Sequence, residues 1–98
     1  HHAATAARRQ DAVGLTLTAY HHISFDRDHV MPEADLRRLL TDQGFTVANM
    51  SYRVTDDGKV FEYRMIIRTT NPSDTARLAA ALRELKSVRE FRISPTGD

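Results

Sequence analysis

The stretch FTVANMSYRVTDDGKVFEYRMIIRTT, residues 45–70, decides how the rest of the chain folds. Before its Asp56-Asp57-Gly58-Lys59 turn, Ala48, Met50, Tyr52 and Val54 alternate with Asn49, Ser51 and Arg53. After it, Phe61, Tyr63, Met65 and Ile67 alternate with Glu62, Arg64 and Arg68. A period of two on both sides of an Asp-Gly turn predicts a β-hairpin, because strand residues point alternately to the two faces and Asp and Gly tolerate the left-handed backbone of the reversal. Phe61, Tyr63, Met65 and Ile67 are expected to be buried together.

Outward from the hairpin, each side shows one helical pattern and then one further strand pattern. Upstream, Leu36, Leu39 and Leu40 form an i, i+3, i+4 stripe. Pro32 is expected in the first helical turn, Glu33 and Asp35 near the positive end of the dipole, and Gly44 as the left-handed stop. Downstream, Asn71 and Pro72 announce a second helix with Leu78, Leu82 and Leu85 on one face and Ala79 and Ala81 beside them. The outer strands are predicted from Gly14 to near His21, with Leu15, Leu17 and Ala19 inward, and around Val88, Phe91 and Ile93, ended by Pro95. Residues 24–31 read as a loop, and residues 1–13 as a disordered tail or linker, its leading histidines either native or left by a tag.

Two helices crossing one face of a four-stranded antiparallel sheet make an α+β, ferredoxin-like βαββαβ sandwich, with strand order 4-1-3-2. Residues 14–98 form that single domain. The helices are expected over Leu15, Leu17, Phe61, Tyr63, Met65, Ile67, Phe91 and Ile93. Thr16, Thr18, Tyr20, Glu62, Arg64, Ile66, Arg68, Glu90 and Arg92 then share the open face.

Composition narrows the function classes. The chain's 98 residues suit one domain, and 14 basic against 13 acidic residues leave +1, so any basic partner surface must be local. With no cysteine there is neither a disulfide framework nor a thiolate metal site. No apolar run reaches the roughly 20 residues that span a bilayer.

The string VREFRISPTGD at residues 88–98, after LAAALREL at residues 78–85, resembles the end of the soluble C-terminal domain of the MgtC/SapB family of bacterial membrane proteins. That resemblance covers roughly residues 14–98. It implies an ACT-like version of the ferredoxin-like fold, joined in the native chain to transmembrane helices and lying on the cytoplasmic side of the cell membrane. It also implies a regulatory, non-enzymatic role connected with adaptation to magnesium limitation and survival inside macrophages.

Three candidate sites emerge. His21, His22, Asp26, Asp28, His29 and Glu33 cluster in sequence, but their spacing matches no tetrahedral site and neighbouring strand residues diverge, so no metal is expected. In the family's ACT relatives the first strand and first helix often enclose an amino-acid site. The matching segment here, FDRDHVMPEAD, offers Asp26, Asp28, His29 and Glu33 as a ligand loop but has no glycine for close backbone approach. On the open face, Tyr20, Arg64, Ile66, Arg68 and Arg92 form a partner surface for another protein or for a second copy in a weak homodimer. Nucleic acid is not expected there, because parity puts Phe61 and Tyr63 under the helices. Ser24 and Ser94 lack a paired base, so neither catalysis nor a cofactor is expected.

Overall fold

A computed structural model describes residues 16–96; the predicted tail, Gly14 and Leu15 lie outside the described residues. Strand β1 is Leu17–Asp26, followed by a 3-10 turn at Arg27–His29 and helix α1 at Glu33–Asp42. The hairpin is β2, Thr46–Thr55, and β3, Val60–Thr69; α2 is Asp74–Arg83 and β4 is Val88–Pro95. The sheet order β2-β3-β1-β4 is the expected order read from the other edge, and every pairing is antiparallel. Both helices lie on one face, where Leu36, Leu40, Leu78 and Leu82 pack against Ala19, Ile23, Phe25, Tyr63, Met65 and Ile67.

The hairpin turn uses the residues its sequence offered. Asp56, Asp57 and Gly58 all have positive φ, and the reversal is closed by Gly58 N–H to Thr55 carbonyl at 3.2 Å and Lys59 N–H to Asp56 carbonyl at 3.1 Å. Gly44 ends α1 at φ 93°, and a side chain there would run into the Asp74 carboxylate at the start of α2. That carboxylate is buried, accepts a 2.7 Å bond from the Thr69 hydroxyl and pairs with Arg77, so the two helix ends lock together beside β3. Asn71 caps the approach to α2, its side-chain oxygen accepting from the Ser73 N–H at 3.1 Å, although the regular helix begins only at Asp74. Pro32 sits one position earlier than expected, just before α1, where its carbonyl accepts from Leu36 N–H at 3.1 Å.

Three sequence expectations are corrected. First, β1 does not end near His21: it continues to Asp26, and Ser24, Phe25 and Asp26 are strand rather than loop. The inward series Ala19, His21, Ile23, Phe25 includes a histidine, which breaks the apolar pattern; an uncharged imidazole is nevertheless tolerated on the covered face. Second, Ala48 does not share a face with Tyr52 and Val54. An irregularity between Ala48 and Ser51, with Asn49 at φ 56°, shifts the strand by one residue, so Val47 lies opposite buried Ile67 while Ala48 lies opposite Ile66. Third, Phe61 is only partly buried; Phe25, its register partner, is 0% exposed, and its ring meets the Tyr63 ring edge-on at 6.1 Å. A second bulge, Arg89 in β4, explains how Val88 and Phe91 both reach the core despite odd spacing, since Val88 pairs with Phe25 and Phe91 with Ile23.

The hierarchy of burial is testable in urea. Phe25→Ala is expected to cost roughly 3 to 5 kcal/mol, as for a fully buried aromatic. Phe61→Ala should cost less, since that ring is only partly buried; the reverse ranking would make Phe61, and not Phe25, the better-packed ring of the pair.

Candidate functional site

Opposite the helices, the two ladders arrange side chains in rows across the sheet. Tyr20 of β1 stands between Ile66 and Ser94, and His22 between Arg64 and Arg92. Thr18 pairs with Arg68, and Ser24 lies between Glu62 and Glu90, with Arg53 beyond Glu62 on β2. Tyr20, Arg64, Ile66, Arg68 and Arg92, the five residues proposed from sequence, therefore share this open face. Tyr20 is 52% exposed, Arg68 and Arg92 are exposed, and Arg64 and Ile66 are half-buried.

Tyr20, His22, Asn49, Ser51, Arg64 and Ile66 line a shallow hollow of about 220 Å³ on this face. The β2 irregularity brings Asn49 and Ser51 to its rim. Arg64 holds Glu62 at 3.0 Å, and Arg92 donates to the Ser94 hydroxyl at 3.0 Å. The His22 pKa is lowered, first by partial burial and then by Arg64, with Glu62 opposing and Arg92 and Arg53 adding to the decrease. Proximity in sequence groups His22 with the histidine and carboxylate cluster and not with the open face. Its period-two relation to Tyr20 was the signal that would have placed it here.

The histidine and carboxylate cluster is taken apart by the fold. His21 is 0% exposed on the covered face, in register with Met65 and Ile93, while His22 points the other way. Asp26 pairs with Arg89, Asp28 and His29 are exposed on the 3-10 turn, and Glu33 is held by the Tyr52 hydroxyl and by Arg37 at 2.8 Å. Those two partners, Tyr52 first, lower the Glu33 pKa. Among the described residues, no three His, Asp or Glu side chains converge as metal ligands.

Asp26, Asp28 and His29 do meet in a cleft of about 690 Å³, together with Arg27, Asp57, Gly58, Lys59 and Arg89. Glu33 is not among its walls. The hairpin turn supplies the glycine that the ligand loop lacks, and Arg27 holds that turn in place through its N–H to the Lys59 carbonyl at 2.9 Å.

The fold class is ferredoxin-like, of the ACT type, and the same fold is found in solved structures. The C-terminal domain of the MgtC protein from Mycobacterium tuberculosis superposes with a TM-score of 0.61 over 83% of this chain and 88% of that one, at 11% identity. The ACT domain of GTP pyrophosphokinase from Chlorobium tepidum does so with a TM-score of 0.53 over 80% of this chain and 97% of that one, at 12% identity. No protein-family model matches the chain, and no curated protein matches it in sequence. The shared feature is the fold. None of the described helices is long and apolar enough to cross a membrane.

Two predictions follow from the dispersed cluster. Neither ring nitrogen of His21 has a hydrogen-bond partner, and burial, with a smaller contribution from His22, lowers its pKa from 6.5 to about 4. Between those values the unfolded chain binds a proton that the folded one refuses, so stability present above pH 6.5 is lost as pH falls towards about 4. At about pH 5 the loss is on the order of 2 kcal/mol. Urea titrations across this range should show it in the parent and not in His21→Leu. Magnesium should behave as a generic salt: millimolar concentrations are expected to move the melting temperature no more than matched ionic strength, with or without Asp26→Asn and Asp28→Asn. An Asp-dependent excess shift would reveal a site.

Proposed function

We propose that this domain is the regulatory, protein-binding part of a larger MgtC-like membrane protein. It lies on the cytoplasmic side of the cell membrane and acts without chemistry of its own. The open sheet face carrying Tyr20, Arg64, Ile66, Arg68 and Arg92 is its contact surface, for a partner protein or for a second copy. The observation that carries this reading is an Ile and a Tyr adjacent in register and surrounded by arginines, on a face that neither helix covers. Aromatic and Arg side chains are those most enriched where partners bind tightly. The fold shared with the MgtC domain and the terminal VREFRISPTGD string support the larger setting, adaptation to magnesium limitation and survival inside macrophages.

A second reading, sensing of a small ligand, is favoured by the cleft at Asp26, Asp28 and His29. Its walls carry Asp26, Asp28 and Asp57 against Arg27, Lys59 and Arg89, a balance of charges that suits a zwitterion such as an amino acid. Amide shifts of Asp28 and Gly58 during amino-acid titrations would identify it; a flat titration leaves the contact surface as the working site.

For the contact surface, the combined variant Ile66→Asp and Arg68→Glu should unfold within about 1 kcal/mol of the parent, because both side chains lie on the solvent face. Concentration-dependent sedimentation or partner capture by the parent is expected to disappear in it. A variant that assembles and captures as the parent does would move the interface to the helix surface around Arg77 and Arg83.

A further inference from the structure

We infer that the open sheet face accepts an extended acidic segment of a partner protein, in which an acidic residue and an apolar residue alternate on the same side. This rests on the reading of that face as the contact surface and names the chemistry it recognises.

This face gathers arginines, most of them without internal acids to hold them. Arg37, Arg38, Arg77 and Arg89 each hold a carboxylate. On the open face Arg64 alone does so, with Glu62; among the described residues Arg53, Arg68 and Arg92 form no ion pair. Four arginines on the face thus stand against Glu62 and Glu90, although the chain as a whole is only +1. An incoming carboxylate finds guanidinium donors at Arg53, Arg68 and Arg92 that no internal acid has claimed, and at Arg64 it competes with Glu62.

Geometry sets the pattern of the partner. The row Arg64–His22–Arg92 can take an anion, and the row Ile66–Tyr20 an apolar side chain. The rows are two β1 residues apart, about 7 Å, which is also the spacing between same-side residues of any extended peptide. A segment lying along β1 would therefore place an acid, one outward residue and an apolar residue in sequence. Nucleic acid fits less well, because a stacking platform needs several aromatic faces and Tyr20 is the single aromatic here, with Phe61 and Tyr63 on the helix side.

His22 couples this binding to pH. The groups facing it are Arg64 and Glu62 on β3, Arg92 and Glu90 on β4 and Arg53 on β2, a net cationic set that disfavours a third charge in the row. A bound carboxylate cancels that excess, so binding takes up a proton and tightens as pH falls.

The test uses the isotope-labelled chain and the peptide Ser-Glu-Ser-Val-Ser-Glu-Ser-Val-Ser. Controls are its Lys-for-Glu analogue, a same-composition peptide with Glu and Val adjacent, and oligouridine. The alternating acidic peptide should shift the amides of Tyr20, His22, Ile66 and Arg92, and bind about tenfold more tightly than either control peptide. It should also bind about threefold more tightly near pH 6 than near pH 7.5, a difference that His22→Gln removes. Arg64→Gln with Arg92→Gln should lose the binding while melting as the parent does. Equal shifts with the Lys analogue would overturn the acidic assignment yet keep the face as a contact surface. Tighter, saturable binding of oligouridine would overturn it in favour of nucleic acid. No shift with any probe, together with sedimentation that Ile66→Asp and Arg68→Glu leaves unchanged, would overturn both readings.

Discussion

Strand β1 is hydrogen-bonded on both sides, to β3 from Leu17 to Asp26 and to β4 from Ala19 to Phe25. It cannot slide without breaking two ladders at once, and a slip of one residue would send Ala19, His21, Ile23 and Phe25 to solvent. Those four are 0 to 1% exposed, so the slip is forbidden by the largest favourable contribution the domain has. The same constraint fixes everything on the other side. Tyr20 and His22 face outward because their neighbours face inward, and Arg64, Ile66 and Arg92 follow by register.

The edge strands have only one ladder each, and both depart from regularity. In β2 the left-handed Asn49 turns Val47 inward at one end and Tyr52 and Val54 to the helix side at the other. In β4 the extra residue Arg89 lets Val88 and Phe91 both reach the core, and Arg89 itself pairs with Asp26 across the strand end. These bulges also discourage edge-to-edge pairing, which a regular exposed strand invites. The helices are tied in separately, by Gly44 against the Asp74 carboxylate and by the Tyr63 hydroxyl on the Met31 carbonyl at 2.6 Å. Core and turns thus hold the open face in place, helped by the Ser24 hydroxyl on the Glu90 carbonyl at 3.5 Å and the Ser51 hydroxyl on the Arg64 carbonyl at 3.4 Å.

What the sequence disclosed follows from this division. The hairpin, both helices and the strand order were legible because period-two and i, i+3, i+4 patterns report burial, and burial dominates where two layers meet. The five open-face residues were legible for the same reason, as the complement of the buried set. Three features were not. A histidine in the inward series of β1 hid the continuation to Asp26, since a residue-type pattern cannot show that an imidazole will be uncharged. The Asn49 bulge exchanged Ala48 for Val47 because a single left-handed residue alters parity without altering composition. The cleft was only half visible, because Asp57, Gly58 and Lys59 come from the hairpin turn and meet Asp26, Asp28 and His29 only once the sheet has formed.

The adjacent histidines, separated by one peptide bond, take up protons on opposite faces of the sheet. Protonating His21 opposes folding, since the charged ring would lie in the core without a partner. Protonating His22, whose pKa the fold also lowers, opposes folding too, but it adds a cation to the row that, in the proposed binding mode, meets an acidic segment. As pH falls the affinity of the face rises while the folded fraction eventually declines, so occupancy passes through a maximum instead of rising without limit. A tightly bound partner shifts that maximum downwards, because binding stabilises only the folded state and resists the unfolding that His21 promotes. The alternation of β1 therefore links the core's tolerance of acid to the charge of its open face through two neighbouring residues of one strand.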